Sequence, residues 1–260
     1  MSGRIDQVDK YYKLSDYIDR ILSGLYYFSM ILTFITFYLD RYPNWLKNIL
    51  ACSFIVMILC YTVLNLLNKF YFSPHADNKR RQQLLSNSFE VALITEKTNL
   101  YYNNKLPASI KKLGANILEN TLFTMRISSK MLWDNSVVSA IYFSAWVILV
   151  IYRGTSLEMI LLITQVVFAG GVLEHLLSLI VLRFKTEHIH DELYNIFLLK
   201  NNDSLLIESR IINCFSTYEA TKSLCSVKLS SRIFKRINPQ VSQEWDAIKE
   251  ILNLDKYRTD

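Results

Sequence analysis

Residues Asn48–Asn68 read NILACSFIVMILCYTVLNLLN, 21 residues without a charge between Lys47 and Lys69. A bilayer hydrocarbon core of roughly 30 Å takes about 20 helical residues. The stretch has that length. It also lacks the polar gaps at helical spacing that mark a surface helix. Outward from it the pattern recurs. Ile21–Leu39 is a charge-free run of 19 residues between Arg20 and Asp40, and Asn135–Tyr152 one of 18 between Asp134 and Arg153. A fourth run, Met159–Leu182, is interrupted by Glu174 and His175. By hydropathy, four such runs favour spanning helices over the long buried helices of a soluble protein. Tyr26, Tyr27, Tyr38, Tyr42, Trp45, Trp133 and Tyr152 lie near run ends, where Tyr and Trp are enriched at membrane interfaces.

Composition agrees. The 260 residues are 51% hydrophobic and 20% charged, with a mean hydropathy of +0.17. The hydrophobic fraction alone is near the globular average, so it is the clustering that carries the argument. Six Gly, four Pro and four Cys exclude collagen-like, low-complexity and disulfide-scaffold architectures.

Orientation follows from the basic residues. The segment before the first run has four Lys and Arg, the segment from Lys69 to Asp134 ten, and the segment from Arg183 onward twelve. The hairpins Asp40–Lys47 and Arg153–Glu158 have two and one. The positive-inside rule then puts both termini and the central segment in the cytosol. Expected organisation is a cytosolic N-terminal segment (1–20), a first transmembrane pair (21–68), a cytosolic helical insertion (69–134), a second pair (135–182) and a cytosolic C-terminal helical region (183–260). The fold class expected is all-α, a polytopic membrane protein with four transmembrane helices and a cytosolic helical body. Residues 1–20 mix acid and base and do not read as a cleaved signal.

Within the cytosolic parts, Pro74 is expected to break or kink the helix leaving the second run. A helix is expected over Asp77–Lys97, then polar and aromatic turns over Asn99–Asn104. Ser109 is placed to cap a helix that continues into the third run. Asp203 or Ser204 caps a helix over about Leu205–Lys222. A short helix around Leu229–Ile237 ends at Asn238-Pro239, and a last one covers Val241–Leu252.

A search for chemistry finds no P-loop, GxGxxG, GxSxG or CxxC pattern. His188 and His190, two apart in a helix, point to different sides, and their acidic neighbours read as a charged surface. No metal site, cofactor or catalytic residue is assigned, and enzyme activity is not expected. Two groups remain. Gln165, Glu174 and His175 are polar positions in the fourth run, fit for a pore lining, gate or ion relay. Counted from Met159, Glu174 lies about 22 Å along the helix, so it equally suits a residue already in cytosolic water. Arg80, Arg81, Asn87, Tyr101, Tyr102, Asn103, Asn104 and Arg126 suit a cyclic nucleotide, since Arg binds phosphate, Tyr stacks on bases and Asn reads base edges. The same residue types also serve as caps, aromatic core contacts and membrane-facing charges. The net charge of +6 fits either attraction to anionic inner-leaflet lipid or an anionic ligand.

The two-plus-two spans enclose Ala76-Asp-Asn-Lys-Arg-Arg-Gln-Gln-Leu-Leu-Ser-Asn-Ser-Phe89, then Tyr101-Tyr-Asn-Asn104 and Asn116-Ile-Leu-Glu-Asn-Thr-Leu-Phe123. The chain closes on Ile237-Asn-Pro-Gln-Val-Ser-Gln-Glu-Trp245. Over nearly its whole length this resembles the SMODS-associating four-transmembrane effector family of bacterial anti-phage signalling. A small residue such as Gly is expected after Phe89, where this chain has Glu90. The resemblance implies a membrane effector beside a nucleotidyltransferase that makes a cyclic oligonucleotide. Binding of that ligand on the cytosolic side would drive homo-oligomerisation and permeabilise the inner membrane. The implied partners are thus the cyclic oligonucleotide, the lipid bilayer and further copies of the chain, with no DNA or RNA polymer. Other classes are a non-conducting membrane scaffold or regulatory subunit, and a small ion channel or transporter not controlled by nucleotide.

Overall fold

The apolar run that opens the argument lies on a continuous helical stretch, Asn48–Phe89. The computed structural model describes residues 5–38, 43–96, 98–99, 101–102, 104–152, 172–199 and 203–254. The elements are β1 (Ile5–Asp6), α1 (Asp9–Tyr38), α2 (Asn44–Leu67), a π-helical turn (Asn68–Phe72) and α3 (Ser73–Phe89). They continue with β2 (Thr98–Asn99), α4 (Ile110–Ile151), α5 (Val172–Leu198), α6 (Ser204–Cys225) and α7 (Ser231–Ile251). The fold is all-α. Its one strand pairing among the described residues is antiparallel and two residues long, with Ile5 opposite Asn99 and Asp6 opposite Thr98. Nothing local in sequence marks that pair, because its strands are more than 90 residues apart.

The chain divides into two compact units, Met1–Gln83 with Ile94–Asn99, and Leu84–Leu93 with Leu100–Asp260. In the first, α1 runs against α2 and the start of α3. The Ser15 hydroxyl donates to Asn68 Oδ1 (2.8 Å), and Asn68 Nδ2 donates to Asp19 Oδ1 (2.5 Å). Tyr12 donates to Asp77 (2.8 Å), and Arg80 forks onto the Asp6 carboxylate at 3.0 and 3.1 Å. Successive partners descend α1 while ascending α2 and α3, so the packing is antiparallel. Val8, Ile18, Leu22, Leu32, Met57 and Ala76 are its buried apolar side chains.

Pro74 does not break the helix. Proline removes the N–H that would bond four residues back and crowds that carbonyl. The chain widens just before it: Ser73 N–H bonds the Asn68 carbonyl, five residues back. Such π turns relieve helical strain locally. The helix expected to reach Lys97 ends instead at Phe89, since Glu90 has φ 55°. That left-handed conformation stops a helix and suits glycine best, which gives the small residue expected after Phe89 a physical reason.

In the second unit α4 is the spine, packed on α5, α6 and α7. Ser109 caps it by accepting from Lys112 N–H (3.1 Å), and the helix runs 42 residues unbroken. Its first half supplies Leu113, Ile117, Leu118, Leu122 and Met125 to a core shared with Leu193, Ile211, Tyr218, Val241 and Trp245. Gly114 makes this possible, because a Cβ there would stand 3.1 Å from Ile211 Cδ1 and Phe197 Cζ. Asp203 caps α6 by accepting from Leu206 N–H (3.1 Å).

The two short C-terminal helices expected on either side of Pro239 are one helix, α7, with Pro239 inside it. Ile233, Ile237, Val241, Trp245 and Ile248 recur at three- and four-residue steps and all enter the core. One continuous buried stripe holds both halves in register, and its burial outweighs one lost backbone hydrogen bond, a cost of about 3 kcal/mol.

Candidate functional site

Three candidate ligand residues converge on the start of α4, through a side chain that the search for chemistry did not single out. Asn116 is fully buried. Its Nδ2 donates to Asn87 Oδ1 and to Ser88 Oγ, both at 2.9 Å, and its Oδ1 accepts from Asn104 Nδ2 at 2.7 Å. One turn on, Asn120 Nδ2 donates to the Tyr102 hydroxyl (3.2 Å). Tyr102 is buried, and Tyr101 meets it edge to face at 4.9 Å. Asn87, Tyr102 and Asn104 are therefore tied to the protein itself, locking the end of α3 and the following loop onto α4. One valence stays open: Asn104 Oδ1 is buried with no partner in the structure. Asn103 lies outside the described residues.

Lys112, at the same end of α4, is nearly buried and donates to the Glu90 carboxylate at 2.8 Å. That contact holds the Glu90 carboxyl below the ordinary carboxylate range.

Arg126 stands ten residues beyond Asn116, about 15 Å along α4, in a separate cleft of about 620 Å³. Arg126, Ser129 and Lys130 line it from α4, and Ile237, Gln240, Val241 and Glu244 from α7. Arg126 donates from Nε to Glu244 Oε2 (3.0 Å) and from a terminal nitrogen to Oε1. The Glu244 bonds raise the guanidinium's pKa, and the Glu187 carboxylate adds to this. Ser129 Oγ accepts from Arg183 Nε at 2.6 Å. The cleft thus holds a charged fork already paired, beside an exposed Lys130. It is equipped to take an anion by partner exchange at Arg126. It brings together no nucleophile with a base, and among the described residues no group of three His, Cys, Asp or Glu is placed to hold a metal.

Arg80 and Arg81 belong to the other unit. Arg80 is committed to Asp6 and, at 2.6 Å, to Gln83 Oε1; Arg81 is half-buried on α3. Within the second unit, Asn87, Tyr102 and Asn104 gather at α4 near Asn116 and Asn120, and Arg126 lines a different cleft. Of the second group, Glu174 and His175 are exposed in the first turn of α5, and Gln165 lies outside the described residues.

The residues missed were partners. Asn116 had a visible signal, being an amide among apolar residues at helical spacing on a helix already expected. Glu244 had none, because its pairing with Arg126 joins residues 118 apart.

No family model, curated protein or solved structure matches the chain.

Proposed function

We propose that the chain is a membrane effector of bacterial anti-phage defence, controlled by a cyclic oligonucleotide on its cytosolic side. The observation that carries the membrane part is α2. Among the described residues one helix, Asn48–Phe89, is long and apolar enough to cross a membrane, and only 6% of its apolar window is buried. Ile55, Val56, Leu59 and Val63 are all more than half exposed. Water penalises such a surface, and a continuous one of this kind marks a membrane or partner contact. The remaining charge-free runs, the flanking basic segments and the resemblance support four spans, cytosolic termini and the inner membrane as location.

The ligand part rests on the resemblance and on two local features. Arg126 and Lys130 line a cleft of nucleotide-compatible size, and Asn104 Oδ1 offers a buried acceptor to an incoming amine. The ligand acts by favouring one homo-oligomeric arrangement, which requires unequal affinity for the two states. In that arrangement Gln165, Glu174 and His175 border a leak through the membrane.

A second reading, a non-conducting scaffold, is favoured by a specific observation: Arg80, Asn87, Tyr102, Asn104 and Arg126 are all engaged within the chain. One experiment separates the two. The full chain is expressed beside a cyclic-oligonucleotide synthase while membrane potential is followed with a dye. The effector reading expects depolarisation that needs an active synthase and is lost in Arg126→Ala at equal expression. A membrane-inserted chain that leaves the potential intact with every synthase tried sinks it in favour of the scaffold. Glu174→Leu tests the leak separately, since unchanged conductance removes that residue from its path.

A further inference from the structure

We infer that the solvent face of the N-terminal half of α7 is a docking surface for anionic phospholipid headgroups, set at the cytosolic lip of the third and fourth membrane runs. The inference rests on the membrane reading proposed above and goes beyond it, because α7 lies some 80 residues past the third run in sequence. Its seat fixes its height. Ser230 N–H points at Met131 Sδ (3.4 Å), Phe234 meets Phe123 at 5.8 Å, and Ile233 packs with Ile127, Met131 and Leu179. Arg126 and Glu244 make the last tie. All these contacts on α4 fall between Phe123 and Met131. At 1.5 Å per residue that band is about 6 to 18 Å from Asn135, where the charge-free run begins. Leu179, on α5, is itself inside the fourth run. The C-terminal helix therefore lies across the base of the spans.

The charge on the free side of its first half is one-signed; Asp246, paired with Lys249 at 2.8 Å, and Glu250 lie on that side only in the far half. Arg232, Lys235 and Arg236 occur at i, i+3 and i+4, one helical face, opposite the stripe of Ile233, Ile237 and Val241 that enters the core. All three are exposed and make no hydrogen bond or ion pair among the described residues. Lys130 on α4 and Lys185 on α5 are exposed at the same level. Trp133, 68% exposed, lies one turn from Lys130 on α4. The acids nearby are largely spoken for: Glu187 pairs with Arg183 and Glu244 with Arg126, leaving Asp134 exposed. Residues 226–240 contain no acid at all. A cluster of unpaired cations with an interfacial Trp, within a Debye length or two of the headgroups, matches the negative potential of a cytosolic leaflet. Pinned on the bundle by its apolar side, α7 sets those cations as a rigid comb rather than a disordered tail.

The test uses the full chain in vesicles of phosphatidylcholine, with and without about 20 mol% phosphatidylglycerol. Flotation with pure phosphatidylcholine after alkaline wash comes first. Mild detergent extraction and counting of co-purified lipid follow. The wild type is expected to enrich phosphatidylglycerol over bulk, and the triple variant Arg232→Gln, Lys235→Gln, Arg236→Gln to lose about threefold or more of that enrichment. High salt should mimic the variant, and Arg232→Lys with Arg236→Lys should restore wild-type behaviour. Equal enrichment in wild type and triple variant, with both floating, overturns the inference and leaves the membrane reading standing. A chain that fails to float with neutral lipid overturns both.

Discussion

The two halves of α4 obey opposite rules. From Lys112 to Met131 most residues are buried, polar ones included: Asn116, Glu119, Thr121, Thr124 and Ser128 lie inside with the leucines. From Trp133 to Ile151 most of the described side chains are exposed and the large ones are apolar, with Ile141 at 64% and Ile148 at 66%. No cap, proline or bend separates them. In the first half each buried polar group is admitted because it is bonded, as Thr124 is to the Tyr218 hydroxyl at 3.1 Å. In the second half polar side chains are few; Asn135 donates to the Met131 carbonyl at 2.9 Å, while Ser139 Oγ is buried with no partner among the described residues. The proposed third span would make this one rod meeting two solvents. Mutations can break that contrast from either end.

The largest effect is expected at Asn116. Asn116→Leu deletes three hydrogen bonds and strands Asn87 Oδ1 and Asn104 Nδ2, while Ser88 Oγ keeps only its bond to the Leu84 carbonyl. With roughly 1–3 kcal/mol for each stranded group, partly relieved by solvent, a loss of about 4 kcal/mol is expected, read from thermal unfolding in detergent. A shift within error would mean that the amide cluster is ornamental. Ile141→Asp is the mirror experiment in the second half. If that half meets lipid, the carboxylate costs insertion about 3 kcal/mol, seen as lost membrane fractionation. If it meets water, the change is nearly silent.

The end of α3 offers a finer contrast. Glu90 holds a strained left-handed backbone and a useful carboxylate at once. Glu90→Gly removes the strain but leaves Lys112 unpaired; Glu90→Ala keeps the strain and loses the pair. Both should melt below wild type, Ala lower than Gly, and a reversed order would refute the backbone argument. The carboxylate's depressed pKa has a sign. Its contribution is complete above the ordinary carboxylate range and is lost as pH falls through the lowered folded value. In the first unit Glu96 behaves likewise and more strongly. Hydrogen bonds from Tyr11 and Lys10 hold its carboxyl down to about 2. Glu96→Gln should flatten the acid limb of α1 unfolding between pH 4.5 and about 2, followed by hydrogen exchange of the α1 amides. An unaltered limb would place the acid sensitivity elsewhere.

These contrasts also explain what the sequence could disclose. Caps are local, so Ser109 and Asp203 were legible, as was the unbroken passage of α4 into the third run. The helix end expected at Pro239 failed because what offsets a proline's cost there is tertiary, the buried stripe of α7. At Pro74 the helix continues through a local device, the π turn beside Asn68. The candidate site was legible in residue type and not in pairing. Arg80 finds Asp6 across 74 positions and Arg126 finds Glu244 across 118, and no spacing rule reaches that far.

The smallest perturbation tests the two-solvent argument without changing a residue. Four cysteines are reduced: Cys52 and Cys60 are exposed on α2, while Cys214 and Cys225 are buried. Burial, with Glu192 adding to it, pushes the Cys214 thiol up to about 12. It has almost no thiolate at neutral pH and should resist alkylation until the protein unfolds. Cys52 and Cys60 carry the information. A charged, membrane-impermeant maleimide reacts only in water. In sealed and in permeabilised vesicles alike, both should stay unlabelled if α2 faces lipid, and react within minutes once detergent and denaturant expose them. Rapid labelling in intact vesicles would put α2 in water. Its exposed apolar face would then have to await a protein partner, and the second half of α4 would need the same explanation.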